Sequence, residues 1–286
     1  MSKSLNIKEI LERTIKHFEK YGIQNPRLDA EVLLADLLGL ERIQLYVRFD
    51  QPLTKSEIDK YRERVILRSK RVPVQYIVGH QEFMSLDFKV NKNVLIPRPE
   101  TEHLVQAVIK FLNEAKFKDP LIVDVGTGSG AIAISLAHNL PEARVIGIDI
   151  FPQALEVAKE NGKRHRVEKR VKFIKGSFLD PIIKANLHPQ VIVSNPPYIK
   201  RSDLKNLQPE VKFEPRVALD GGEDGLDAYR QIISGAEVLS SGGLLAFEVG
   251  IGQSEEVATM MEKSFDKITV LKDLAGIDRV VMGIKK

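Results

Sequence analysis

From residue 120 onward the chain alternates short apolar runs with helical stretches, and no other feature restricts the fold as much. Runs at 121–125, 145–149, 171–174, 191–194, 244–249 and 279–284 read as strands, with a weaker one near 268–271. Helices fall between the first pairs, at about 130–139 and 152–161. This order implies an α/β fold: a doubly wound, mostly parallel sheet with helices on both faces. The Lys272–Ile277 connection is too short for a helical crossover, so the last two strands should pair antiparallel.

The upstream sequence differs in kind. Residues 5–72 carry helical patterns only. Ile7, Ile10, Leu11, Ile15 and Phe18 recur at helical spacing until Tyr21-Gly22; Pro26 opens a second helix that ends at Gly39. Thr54 and Glu57 form a capping box for a third. Short amphipathic helices of this kind should pack as a small bundle. Val74–His80 and Leu86–Val90 read as two short strands of a hairpin linker. Pro99 suits the first turn of a helix that runs to about 116. The expected domains are therefore 1–72, a helical domain; 73–97, a hairpin linker; and 98–286, the α/β domain.

Two turns at strand ends carry the chemistry. The first is Gly126-Thr127-Gly128-Ser129-Gly130, after Leu121–Val125. Its glycines permit a tight turn and a close ligand approach, and the following helix should aim its N-terminal N–H groups at a carboxylate or phosphate. Asp149 ends the next strand, at the spacing of an acid that accepts hydrogen bonds from a ribose diol. With Ala131 the turn also satisfies the dinucleotide pattern, so a nicotinamide enzyme remains an alternative at this point. Asp124 is as well suited to organising the loop as to touching a ligand. Ser177 and Phe178, after the third strand, can offer a polar edge and a flat face to a planar ring, or Phe178 is simply core.

The second turn is Asn195-Pro196-Pro197-Tyr198, after Val191–Ser194. Consecutive prolines make it rigid. It falls at the same sheet edge as the glycine turn and Asp149. An amide or exocyclic amine nitrogen is a poor nucleophile because its lone pair is delocalised. The Asn195 side-chain oxygen and the Pro196 carbonyl can accept its two N–H groups, and Tyr198 offers a face for a flat acceptor. A nucleotide-like cofactor beside such a clamp points to methyl transfer onto nitrogen.

Composition narrows the setting. The chain has 286 residues and no cysteine, which excludes disulfides, thiolate catalysis and Cys-ligated zinc and makes the cytoplasm the expected location. No apolar run approaches the roughly 18–20 residues of a membrane helix, and Met1–Leu5 has no apolar leader pattern. No metal site is expected. A net charge of +4 permits a nucleic-acid partner without arguing for one. The basic run Lys163-Arg164-His165-Arg166, continuing to Lys169, Arg170 and Lys172, reads as a solvated surface or as a contact with an RNA-rich neighbour such as a ribosome.

Together these residues resemble the class I S-adenosylmethionine methyltransferases that carry a [DN]-P-P-[YFW] motif. Leu95–Glu102, Asn195–Tyr198 and Phe213–Leu219 with its Gly-rich continuation to Leu226, joined to the helical N-terminal region, resemble the release-factor glutamine methyltransferases of the HemK or PrmC family. The resemblance implies S-adenosylmethionine as cofactor and peptide-chain release factors as partners. It also implies methylation of the glutamine amide nitrogen in their Gly-Gly-Gln motif, with the helical domain helping to bind them. The alternatives are a ribosomal-protein glutamine methyltransferase and an adenine-N6 methyltransferase of DNA or RNA; a nucleic-acid enzyme should carry a basic, aromatic-rich recognition region, and this N-terminal region is mixed in charge without tryptophan. The expected site is then Asn195, Pro196 and Tyr198 for catalysis; Gly126, Thr127, Gly128, Ser129, Gly130, Asp149, Ser177, Phe178 and Asn195 for the cofactor; and Asn195 through Tyr198 for the substrate.

Overall fold

A computed structural model describes residues 5–286; Met1–Ser4, most of the stretch read for a leader, lie outside it. The chain divides into two compact units, 1–80 with 208–213, and 81–207 with 214–286.

The first unit is helical: α1 (Ile7–Lys20), α2 (Pro26–Leu38), α3 (Arg42–Val47), α4 (Lys55–Ser69) and α5 (Val74–Val78). Asn6 and Glu9 cap α1 reciprocally, and Thr54 and Glu57 do the same for α4. Pro26 opens α2, and Gly39 closes it in the left-handed conformation. Ile7, Leu11 and Phe18 of α1 meet Leu33 and Leu34 of α2 in the core, where Tyr61 donates its hydroxyl to the Ala30 carbonyl at 3.0 Å. The segment 208–213 is held by ion pairs: Arg68 bridges Asp29 at 2.6 Å and Glu210 at 2.8 Å, and Arg71 also reaches Glu210.

One expected element is corrected here. Val74–Val78 is a helix, not a strand. Its β-branched residues suggested extended chain, but Val74, Ile77 and Val78 also stand at i, i+3 and i+4 and pack together on the helical core. The hairpin starts later, with β1 (His80–Phe83) and β2 (Leu86–Lys89). Met84 and Ser85 between them both adopt positive φ, as a two-residue hairpin turn requires.

The second unit continues through a short 3₁₀ turn, Pro99–Thr101, into α6 (Glu102–Ala115). Then follow β3 (Leu121–Val125), α7 (Ala131–Asn139), β4 (Arg144–Asp149), α8 (Pro152–Arg164), β5 (Val171–Lys175), α9 (Asp180–Lys184) and β6 (Val191–Ser194). The chain ends with α10 (Asp227–Gly235), β7 (Leu244–Glu248), α11 (Ser254–Met261), β8 (Phe265–Lys272) and β9 (Asp278–Lys285). The sheet order is β5-β4-β3-β6-β7-β9-β8. β3 to β7 pair in parallel, and β9 runs antiparallel to both β7 and β8. The order reverses direction between β3 and β6, the switch point at which open α/β sheets hold ligands. The weak run near 268–271 is the middle of a longer edge strand.

Asn161, fully buried on α8, ties the hairpin to the glycine turn. It accepts from Lys89 N–H at 2.8 Å and donates to the Lys89 and Ser129 carbonyls at 3.0 and 2.9 Å. The basic run spans the end of α8 and the edge strand β5. Within it Arg164 pairs with Asp87 at 3.0 Å, and Arg170 donates to the Leu140 carbonyl at 3.1 Å. Among the described residues, no helix is long and apolar enough to cross a membrane.

Gly147, in the middle of β4, faces Phe173 across the β4–β5 pairing. A Cβ there would lie 2.7 Å from the Phe173 ring and 2.8 Å from the Thr127 hydroxyl. Gly147→Ala should therefore destabilise the second unit by roughly 1–3 kcal/mol through overpacking. Urea denaturation of the variant beside the parent protein measures this, and an unchanged midpoint would show that Phe173 gives way freely.

Candidate active site

A cavity of about 290 Å³ opens at the carboxyl ends of β3, β4 and β6. The strand register puts Val125, Asp149 and Ser194 at this edge, and Ser194 donates to the Val125 carbonyl at 2.6 Å, closing the switch point from below.

Gly126 and Gly128 line the cavity, both with positive φ. A Cβ on Gly126 would meet nothing within 4 Å, so a ligand can lie directly on the backbone there. Within the turn Gly126 and Thr127 both donate to the Ile148 carbonyl, Gly128 to Asp149, and Gly130 to the Thr127 carbonyl. In the helix that follows, whose N-terminal N–H groups should point at an anion, Ala133 N–H donates to Asp124. The turn itself offers a ligand close approach. Thr127, Ser129 and Gly130 do not line the cavity. Thr127 donates its hydroxyl to Asp124 at 2.6 Å, Ser129 is buried beneath the turn, and Gly130 packs so closely that a Cβ would strike Ile134 at 2.9 Å.

Asp124 is fully buried and organises this loop. One oxygen accepts from Thr127 and from Ala133 N–H. Burial pushes its pKa up to about 7, against the pull of those two hydrogen bonds. Asp149 faces the cavity, and its carboxylate accepts from Gly128 N–H and Phe151 N–H, both at 2.9 Å. Burial raises its pKa too, while the backbone donors oppose the rise. Ser177 and Phe178 line the opposite wall. Phe178 takes a left-handed φ of 44° and also packs on the core, so both readings of this residue hold in part.

Asn195, Pro196 and Pro197 line the same cavity; Tyr198 does not. The Tyr198 ring sits against Gly250, and burial, with the nearby Glu248, pushes its pKa up to about 12. Its carbonyl accepts from Gln253 at 3.0 Å. The same Gln253 amide reaches the Gly225 carbonyl, and its oxygen accepts from Gly250 N–H at 3.1 Å, so one buried side chain pins the clamp to two neighbouring turns. Asn195 donates its amide to the Thr101 hydroxyl at 3.2 Å.

Sequence reasoning passed over Thr101, Glu214, Glu248 and Gln253. Glu214 is buried and accepts from Ile96 N–H at 3.0 Å and from Arg98, which joins the Leu95–Glu102 and Phe213–Leu219 stretches. Glu248 ends β7 in the core, and burial raises its pKa to about 7. The available signal was an acid closing an apolar strand, Leu244–Glu248, the pattern already noted at Asp124 and Asp149.

Residues 9–79 match the model of the PrmC N-terminal domain, and residues 117–212 match that of a methyltransferase domain. A release factor glutamine methyltransferase of Geobacter sulfurreducens is 45% identical over 97% of this chain and 96% of its own length. One from Moorella thermoacetica is 42% identical over 99% of both. The chain belongs to the release factor glutamine methyltransferase family. The fold is shared more widely: the hMettl16 catalytic domain superposes with a TM-score of 0.56 over 81% of this chain and 82% of that one, at 15% identity. Family membership sets aside the nicotinamide reading that the glycine turn left open.

Proposed function

We propose that this protein methylates the side-chain amide nitrogen of a glutamine in peptide-chain release factors, with S-adenosylmethionine as the methyl donor. The observation that carries the reading is that Asn195-Pro196-Pro197 shares one cavity with the glycine turn and Asp149, in a chain of this family. The cavity suits the cofactor in kind. The backbone of Gly126 and Gly128 lies open to it, and the Asp149 carboxylate is available for a ribose diol. Ser177 and Phe178 offer a polar edge and a flat face for adenine. When bound, S-adenosylmethionine supplies an electrophilic methyl group.

The chain's own residues then prepare the nucleophile. The Asn195 side-chain oxygen and the Pro196 carbonyl accept the two N–H groups of the glutamine amide and turn its lone pair toward the methyl site. Rigid prolines keep both acceptors in place. Tyr198, placed behind the loop, supports it. No base is required before attack, because the amide proton becomes acidic only once the new N–C bond forms. The helical unit, which carries the PrmC N-terminal match, is the proposed release-factor recognition module, and the cytoplasm the proposed location.

Two variants separate the half-sites. Asp149→Ala should weaken S-adenosylmethionine binding about 10- to 150-fold, the loss of a hydrogen bond to a charged group; calorimetric titration reads it, and unchanged affinity removes Asp149 from the site. Asn195→Ala should bind the cofactor and lose most turnover. Mass spectrometry of a release factor incubated with enzyme and cofactor should place one methyl group on glutamine with the parent protein and almost none with Asn195→Ala. Methylation of a ribosomal protein or of DNA in preference to the release factor would overturn the substrate assignment.

A further inference from the structure

Two stretches of chain hold the Asn195–Tyr198 turn, one by a side chain and the other by backbone. The first, Ile96-Pro97-Arg98-Pro99, leads into Thr101, whose hydroxyl accepts from the Asn195 amide at 3.2 Å. The second, Pro215–Gly222, pairs with the continuation of the turn. Ile199 N–H donates to the Leu219 carbonyl at 3.0 Å, Gly221 N–H to the Ile199 carbonyl at 2.9 Å, and Arg201 N–H to the Gly222 carbonyl at 2.8 Å. Gly221 lies so close to the turn that a Cβ there would meet the Pro197 carbonyl oxygen and the Tyr198 Cα, each at 2.8 Å.

Glu214 joins the two stretches. It is buried; its Oε2 accepts from Ile96 N–H at 3.0 Å and its Oε1 from Arg98. The contacts therefore close a ring. It runs from Asn195 to Thr101, along the chain to Arg98 and Ile96, across Glu214, along the chain to Leu219–Gly222, and back through Ile199 to Asn195. The links are stiff. Pro97, Pro99 and Pro215 fix φ on either side of the acid. Asp220 braces the return, accepting from Gly222 N–H at 3.1 Å and from Arg201 at 3.3 Å. Neither Glu214 nor Arg98 lines the cavity, so neither touches a ligand there.

We propose that Glu214 is a positioning residue: by locking the two stretches together it sets where the Asn195 oxygen and the Pro196 carbonyl stand relative to the methyl donor. This rests on the reading of Asn195 as the hydrogen-bond acceptor of the glutamine amide. A carboxylate suits the junction because both of its oxygens accept and it has no proton to place. An amide has one accepting oxygen. Glutamine at this position would set its NH₂ against Ile96 N–H in one flip and against the Arg98 guanidinium in the other, and one link of the ring is lost either way. Gln253 holds the Tyr198 carbonyl independently, so the turn itself survives an opened ring. Displacing a positioned group by about 1 Å costs on the order of 100-fold in rate.

The test is steady-state methylation of intact release factor by Glu214→Gln, Arg98→Met and the double variant, with calorimetric S-adenosylmethionine titration and thermal melting of each. Rates are expressed per cofactor-binding site, so that unfolded protein does not count. Each single variant should lower kcat about 10- to 100-fold. KM for the release factor and the affinity for cofactor should stay near the parent values, because Gly126, Asp149, Ser177 and Phe178 lie outside the ring. The double variant should be no slower than the slower single one, since both open the same junction. Arg98→Met, at a side chain one-third exposed, covers the case in which Glu214→Gln fails to fold. Parent-like kcat per site in the folded single variants, with Asn195→Ala inactive in the same assay, would overturn the positioning role. So would losses that multiply in the double variant, or a kcat loss matched by an equal loss of cofactor affinity, the mark of a cavity loosened as a whole. An active Asn195→Ala would overturn the clamp reading beneath it.

Discussion

The parallel pairing of β3 with β4 and with β6 is the constraint on which the rest of the site depends. It fixes three strand ends at one edge and leaves a crevice where the strand order reverses. The glycine turn after β3, Asp149 at the end of β4 and the Asn-Pro-Pro-Tyr turn after β6 then converge although about 70 residues separate the first from the last. A one-residue slip in either register would send every side chain of that strand to the opposite face. The buried runs Ile122–Val125 and Val191–Ser194, packed on both faces, hold the register against such a slip.

Two buried acids, Asp124 and Glu214, organise this edge. Asp124 ties down the glycine turn and the first turn of α7. Glu214 joins the stretch before α6 to the loop beyond the clamp. Burying a carboxylate is unfavourable unless donors surround it. Asp124 and Glu248 each retain one oxygen with no partner among the described residues, and both have pKa values raised into the neutral range. At Asp124 stability is given up for the order of the glycine turn. That exchange is reasonable for a reaction whose catalysis is mainly placement, a contribution of up to about 7–11 kcal/mol in favourable cases.

Much of this was legible in the sequence. Strands buried on both faces write themselves as apolar runs, so Leu121–Val125 and Val191–Ser194 were located to the residue. Caps such as Thr54 with Glu57 depend on neighbours three residues apart and were equally visible. Val74–Val78 misled because its residue types favour strands while its packing partners, distant in sequence, make it a helix. The helices α10 and α11, nine and eight residues long, carried no assignment, although Ala228, Tyr229 and Ile232 of α10 do recur at helical spacing. In the site, the turn residues were readable from local backbone demands. The contacts of Thr101, Glu214 and Gln253 reach partners about 30 to 120 residues away and became visible only once the chain was folded.

The most direct test of the account is a crystal structure of the protein with the spent cofactor and a release-factor fragment that presents the glutamine. The account predicts the glutamine amide nitrogen within about 2.7–3.2 Å of both the Asn195 side-chain oxygen and the Pro196 carbonyl, with its remaining face toward the cofactor sulfur over the glycine turn. An amide held elsewhere in the cavity, or an Asn195 that presents its nitrogen to the substrate, would contradict it.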